Sequence, residues 1–363
     1  MELSKETLLL QNEIRKFAKE VISEKVDEFD KQNIFPLENI KKLGEMGILG
    51  STISESYGGC ALDTVSLIVT LEEISKICPS TALILLTHNI LFSYPIEKFG
   101  TEEQKKKYLL SAATGEIIGG FVEIMTNELK ILREGDYYLI TGKNQLLLNG
   151  TANGPFILIF ESDGKIESVI VDETVKGVVR NKKDNIIGMH AGGITEVVFE
   201  NSKISLNNRL GKDGDGKFIL EEIRAFANLC FSAINLGIAE GSMENAIKYA
   251  KERVQFGEPI INFGMVREMI ADMITKIEAV RNLVYDSAYI RDNNKDFSRA
   301  AAISRYFSNQ TVAEVTTNAI QVYGGYGYMK DYPVERYFRD AQVSRVLCCS
   351  NIDLKELIVS KTV

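Results

Sequence analysis

Hydrophobic residues recur at helical spacing through the first third of this 363-residue chain, gather into short β-rich runs in the middle, and return to helical spacing to the end. That double switch of period restricts the fold to two helical blocks around a small β domain. Leu10, Ile14, Phe17 and Val21 share one helix face, and Ile40, Leu43 and Met46 repeat the pattern before Tyr57-Gly58-Gly59 breaks it. A third helix through Leu71, Ile74 and Ile77 stops at Pro79, and a more apolar one, from Ser80 to about Tyr94, reads as buried on several sides. Thr101-Glu102-Glu103-Gln104 has the form of a capped helix start.

The middle carries Tyr137–Ile140, Phe156–Phe160, Ser168–Val171 and Val197–Phe199, separated by Gly, Asn and Asp clusters, which predicts a mostly antiparallel domain. Three long helices follow, over about Leu220–Arg253, Val266–Asp292 and Ser298–Val322, with a last one after Asn351. Gly237 and Gly241 lie inside the first of these, where glycine costs about 1 kcal/mol relative to alanine, so close packing against a neighbour is expected there. The predicted organisation is mostly α with a small β domain: residues 1–118 helical, 119–208 β, 209–363 a helical bundle.

Composition narrows the partners. A net charge of -8 argues against a general nucleic-acid binder. No stretch approaches the roughly 20 apolar residues of a membrane span, and Met1–Glu13 lacks an apolar signal core, so a cytoplasmic location is expected. Five scattered cysteines fit a reduced compartment, and two distant histidines, His88 and His190, give no metal pattern.

The motifs, in order, carry a family resemblance. Glu252-Arg253-Val254-Gln255-Phe256-Gly257 resembles the ER-x-x-FG segment of the acyl-CoA dehydrogenases, and Gln321-Val322-Tyr323-Gly324-Gly325-Tyr326-Gly327 resembles their Q-x-x-GG-x-G turn. Tyr332–Arg336 and Arg339-Asp340-Ala341 resemble the P-x-E-R…RDA stretch, while Leu71-Glu72-Glu73, Lys98–Gln104 and Gly115-Glu116 fit the N-terminal domain. The resemblance implies that family's architecture, an N-terminal helical domain, a middle β-barrel-like domain and a C-terminal four-helix bundle, with FAD lying across a subunit interface of a homo- or hetero-tetramer. It places Arg253 on the FAD diphosphate of the neighbouring subunit, Phe256 on the adenine-side portion, and Gln321, Gly324 and Gly325 at the diphosphate turn. Phe121, in the stretch matching G-x-F-A-L, and Ser350, where a threonine is usual, join the cofactor set.

Departures from the pattern cluster at the reaction centre. Ile124 stands where a threonine bonds the flavin, in a loop that looks shortened; Leu146 and Leu148 replace the tryptophan and threonine of W-I-T-N-G. Gly264 takes a glutamine place and Asn228 the place of an arginine near the substrate. The family's glutamate base, in I-Y-E-G-T, is Cys348 here, and the alternative base position on the long helix is Ala227. A thiol is a weak base unless a cation lowers its pKa, so Cys348 reads as a replacement base, a nucleophile or a small buried residue. Glu123 is a second candidate carboxylate beside the flavin position, and His190 reads as structural.

The resemblance implies oxidation of an acyl thioester at Cα–Cβ, the acyl group being carried by coenzyme A or an acyl carrier protein. Hydride would pass to the flavin, and electrons onward to an electron-transferring flavoprotein. Two alternatives follow from the departures: a non-catalytic subunit of a hetero-oligomer, and flavin-independent acyl thioester chemistry using Cys348.

Overall fold

A computed structural model describes residues 3–123 and 129–363. The N-terminal block contains α1 (Lys5–Phe17), α2 (Ser23–Gln32), α3 (Leu37–Glu45), α4 (Thr64–Ser75), α5 (Pro79–Leu86), α6 (Tyr94–Phe99) and α7 (Glu102–Thr114). Their starts follow local chemistry. The Ser4 hydroxyl accepts the Thr7 N–H at 3.0 Å, Asp63 accepts the Ser66 N–H at 2.7 Å, and Thr101 with Gln104 forms the reciprocal box the sequence predicts.

The apolar helix expected over Ser80–Tyr94 is divided: α5 passes through a π-helical turn, Thr87–Ser93, into α6. That turn seats His88 between two backbone groups. Its Nδ1 accepts the Gly119 N–H at 3.0 Å, so its Nε2–H donates to the Ala112 carbonyl at 3.1 Å. Burial pushes this imidazole down to about 4, and it stays neutral as a clamp on the strand that begins at Gly120.

The middle region holds β1 (Gly120–Glu123), β2 (Leu129–Glu134), β3 (Tyr137–Leu147), β4 (Phe156–Ser162), β5 (Lys165–Val171), β6 (Val178–Lys182) and β7 (Thr195–Ser205). They form two sheets, ordered β1-β4-β5 and β2-β3-β7-β6. Pairing is antiparallel except between β1 and β4, which run parallel with Gly120 opposite Phe156. Both sheets bury side chains in one core, Phe156, Phe160 and Val169 from the first against Tyr138, Ile140 and Phe199 from the second.

The C-terminal region runs α8 (Gly216–Glu252), a hairpin of β8 (Val254–Gln255) and β9 (Glu258–Pro259), then α9 (Gly264–Asp292), α10 (Ser298–Tyr323), α11 (Val334–Ser344) and α12 (Asn351–Ser360). The α8 and α9 starts lie earlier than the hydrophobic pattern places them, because a helix's first turn need not be apolar. Close approach explains the glycines in α8: a Cβ on Gly237 would sit 2.4 Å from the Glu72 carbonyl oxygen, and one on Gly241 2.3 Å from that of Lys76. Among the described residues no helix is long and apolar enough to cross a membrane.

The β region is tied to the bundle at α11. Asp340 accepts the Met189 N–H at 2.5 Å, Arg339 pairs with Asp30 at 2.7 Å, and the His190 ring lies 3.2 Å from Asp30, a structural placement. Burial pushes Asp340 up to about 6 from its ordinary 3.8. Its folded value exceeds its unfolded one, so its contribution to stability is whole below pH 3.8 and is lost as pH rises through about 6. Asp340→Asn keeps the acceptor oxygen and removes the titration. Thermal melts of both proteins should therefore converge, or cross in the variant's favour, between pH 4 and pH 7; a constant gap would refute this.

Candidate active site

The site is assembled from two ends of the bundle. At the first, the C-terminus of α8 is fastened to the C-terminus of α10 by tyrosines. The Tyr249 and Tyr323 rings stack at 4.0 Å, and Tyr332 packs edge-on against Tyr323 at 5.6 Å and tilted on Tyr326 at 5.5 Å. The Tyr323 hydroxyl also donates to the Asn245 carbonyl at 3.2 Å. This brings Arg253, the residue closing α8, over the Tyr326 ring at 5.5 Å, and so beside the glycine turn seventy residues later in the chain.

Each glycine of that turn has a separate reason. Gly324 adopts φ 57, ψ -134, a conformation nearly confined to glycine, while its N–H caps α10 on the Gln321 carbonyl. A Cβ on Gly327 would strike the Ile320 carbonyl oxygen at 2.3 Å. Gly325 is exposed, and a Cβ there would meet nothing within 4 Å, so nothing inside this chain demands glycine. A flat, positively flanked backbone open to the outside suits close approach by phosphate oxygens, and Arg253 supplies the matching fork. The Phe256 ring points out at 97% exposure from a two-residue turn in which Phe256 and Gly257 both have positive φ (51 and 91). An apolar ring on such a tip needs a partner to cover it. Arg253, Phe256, Gln321, Gly324 and Gly325 thus lie at one accessible end, where Arg253 and the glycine turn suit the phosphate oxygens of a dinucleotide such as FAD and Phe256 offers an uncovered ring.

Not every expected contact sits there. Phe121 is only 2% exposed and packs in the main core, its backbone exchanging hydrogen bonds with Leu148 at 3.2 and 3.0 Å. The Ser350 hydroxyl is engaged as the N-cap of α12, donating to Asp353 Oδ2 at 2.8 Å and accepting its N–H at 3.2 Å. Ile124 and the loop over residues 124–128 lie outside the described residues.

The second end is a cavity of about 940 Å³ between α6, the first half of α8, the α9–α10 turn and α12. Its wall is polar. Glu222 accepts from Tyr94 at 2.7 Å and from Lys98; burial pushes that carboxyl up, but Lys98 and Tyr94 hold it below its ordinary value. Arg291 lies 3.7 Å from the centre of the Phe226 ring and donates to Thr64 at 2.7 Å. Asn228 is 1% exposed, lines the cavity, and among the described residues has no partner for either amide atom. A buried unpaired amide costs about 1–3 kcal/mol, so Asn228→Leu should stabilise the unliganded protein by that order while weakening the binding of a polar ligand in the cavity. Melting and calorimetric titration on the same samples check both halves; a destabilised variant would count against an orphaned amide.

The turn between α11 and α12 closes the cavity through Cys349. Cys348 stands there at φ 65, a left-handed conformation that costs a side-chain-bearing residue about 1–2 kcal/mol. Two features hold the turn. The Ser350 cap fixes its end, and Arg305, fully buried, donates to the Ser344 carbonyl and to that of Leu347 at 3.4 Å while lying 4.4 Å over the Phe231 ring. Burial lowers Arg305 to about 10, which leaves it charged near neutrality. Neither it nor Arg224 rescues the thiol. Burial, then the charge of Glu123, pushes Cys348 far above the ordinary cysteine range, so at neutral pH its thiol is held protonated.

Glu123 ends β1 and is paired with Arg224 of α8, which lines the cavity. Sequence reasoning named Glu123 but missed Arg224, Arg305, Glu222 and the tyrosines. A signal for α8 was available: Arg224, Asn228, Ser232 and Asn235 recur every three to four residues inside an apolar run, marking a polar stripe on one helix face. Among the described residues no group of three or more side chains suits a metal.

Comparison with known proteins agrees with this geometry. The acyl-CoA dehydrogenase N-terminal domain matches residues 4–116 and the acyl-CoA dehydrogenase C-terminal domain residues 222–348. The chain is 35% identical over 371 residues to a short-chain specific acyl-CoA dehydrogenase of Clostridium acetobutylicum, covering 99% of this chain and 98% of that protein. It is 34% identical over 374 residues to an acyl-CoA dehydrogenase of Bacillus subtilis, with the same coverage. The solved structure of butyryl-CoA dehydrogenase from Megasphaera elsdenii superposes with a TM-score of 0.94 at 30% identity, over 99% of each chain. In both its helical blocks and along nearly its whole length, the chain belongs to the acyl-CoA dehydrogenase family.

Proposed function

We propose that this protein is a flavoenzyme that oxidises an acyl thioester, carried by coenzyme A or a carrier protein, at the Cα–Cβ bond. The observation that carries the reading is Gly325, open to the outside beside Arg253, a cradle that no contact within the chain explains. FAD, when bound, supplies the two-electron acceptor. The chain's own residues hold its diphosphate at the α8–α10 end and present to the acyl group a cavity of mixed apolar and polar lining. An electron-transferring flavoprotein is the proposed onward acceptor.

Purified protein should carry FAD, or gain it on incubation, and should reduce a dye acceptor when given butyryl-CoA. A colourless chain that takes up no FAD would end the reading. Arg253→Ala removes a charged hydrogen-bonding fork worth about 1.5–3 kcal/mol, so FAD affinity should fall roughly 10- to 100-fold, measured by fluorescence titration. Unchanged affinity would remove Arg253 from the site.

The thiol at Cys348, a poor base, favours a second reading in which the chain lends its diphosphate half to a catalytic homologue. Full activity of the homogeneous chain would rule that out.

A further inference from the structure

The inner wall of the cavity carries a positive charge that nothing beside it neutralises. Arg224 is paired with Glu123, and Glu222 with Lys98. Arg291 lines the same wall, and among the described residues it has no ion-pair partner; its one hydrogen bond there goes to the Thr64 hydroxyl at 2.7 Å. The other charged side chains of the lining, among them Asp296 paired with Lys361 at 3.2 Å, are exposed residues of the rim.

Arg291 is also held still. Its guanidinium lies 3.7 Å from the centre of the Phe226 ring, with the Tyr94 and Phe297 rings at 5.5 and 5.6 Å. Both of those rings meet Phe226 edge-on, so the three form one packed support. The next residue, Asp292, accepts the Thr64 and Val65 N–H groups at 2.8 and 3.1 Å and fastens the end of α9 to the start of α4. A planar cation laid on an aromatic face keeps the donors on its edge for a ligand. Asn228 adds a buried amide to the same cavity, without a partner among the described residues.

We propose that Arg291 determines specificity for an acyl chain that ends in a carboxylate, with the Asn228 amide nitrogen as a neutral second donor, so that the thioester taken is that of a dicarboxylic acid. The inference rests on the thioester reading above and names its substrate class. A carboxylate accepts from a guanidinium fork through two oxygens, whereas a methyl end displaces water from the fork and gives it no partner. A site built around a hydrogen-bonding cation therefore rejects the alkyl analogue more strongly than a purely apolar pocket would.

The test is calorimetric titration of the FAD-loaded protein with matched pairs, glutaryl-CoA against pentanoyl-CoA and adipoyl-CoA against hexanoyl-CoA. At least one diacid thioester should bind about 10- to 100-fold tighter than its alkyl match. In Arg291→Gln that ratio should fall close to one. Arg291→Lys keeps the charge without the fork, should give an intermediate ratio, and guards against a glutamine variant that fails to fold. A merely structural Arg291 would weaken both members of a pair and leave the ratio as it was, which would overturn the proposal. The same pairs as pantetheine esters, which lack the phosphates, should keep the preference. A loss in Arg291→Gln that is equal within each CoA pair and vanishes with the pantetheine esters would show that Arg291 reads the carrier's phosphates, and would overturn it too. Wild-type protein that binds the alkyl thioesters with no preference for a diacid would overturn the inference and leave the thioester reading standing. Failure to bind any of these esters would remove that reading, and this inference with it.

Discussion

Gly237→Val should leave the protein unable to form its normal fold, or lower its melting temperature by roughly 4 °C or more if a folded fraction survives. The helix α8 crosses α4 at this residue with no room between them. An added Cβ would lie 2.0 Å from the Ser75 hydroxyl oxygen, 2.4 Å from the Glu72 carbonyl oxygen and 3.1 Å from the Lys76 nitrogen. The serine side chain can turn aside; the carbonyl and amide belong to the backbone of a buried helix and cannot. Better helix propensity would return about 1 kcal/mol at most, against an overpacking cost of about 3 kcal/mol or more. Gly264→Ala is the matched control, since its Cβ would meet nothing within 4 Å, and its melting temperature should stay level or rise. A Gly237→Val protein that melts like wild type would show that α4 and α8 are not in contact here.

Glu72→Ala should cost about 3–5 kcal/mol, the second large effect. Glu72 is fully buried, accepts from Tyr285 at 2.6 Å and from Arg281, and lies 3.6 Å from Lys76. Its neighbours continue the pattern: Arg281 and Lys76 reach Glu240 at 3.0 and 2.9 Å, and Arg15 reaches Glu73 at 2.8 Å. Removing Glu72 leaves a shielded guanidinium and ammonium with too little negative charge, and that penalty dominates over the lost contacts. Replacing both charges, as Glu72→Met with Arg281→Met, should therefore cost less than Glu72→Ala alone. Denaturant melts of the three proteins decide the matter; additive losses would mean the network behaves as a set of solvated pairs.

The network also shows where reading along the chain stops. Glu72 stands in Leu71-Glu72-Glu73, a motif legible as a family mark, yet nothing local reveals that it meets Arg281, more than two hundred residues on. The three-part order, the long helices, the cap at Thr101 and the glycine turn at Gly324–Gly327 were all legible. The π-helical turn at Thr87–Ser93 was not, because its period differs from the α-helix by a single residue within an unbroken apolar run.

What residue order alone determined here is everything that depends on neighbours a few positions apart: hydrophobic period, caps, breakers, and the ordered motifs that carry the family resemblance. Only the folded chain decided which distant groups meet: Glu123 with Arg224, Arg305 under the turn at Cys348, and the tyrosines that set Arg253 beside the glycines. Periodicity and propensity are local averages, whereas the charge state of Cys348 and the pairing of Glu123 with Arg224 follow from burial and from partners brought together by packing.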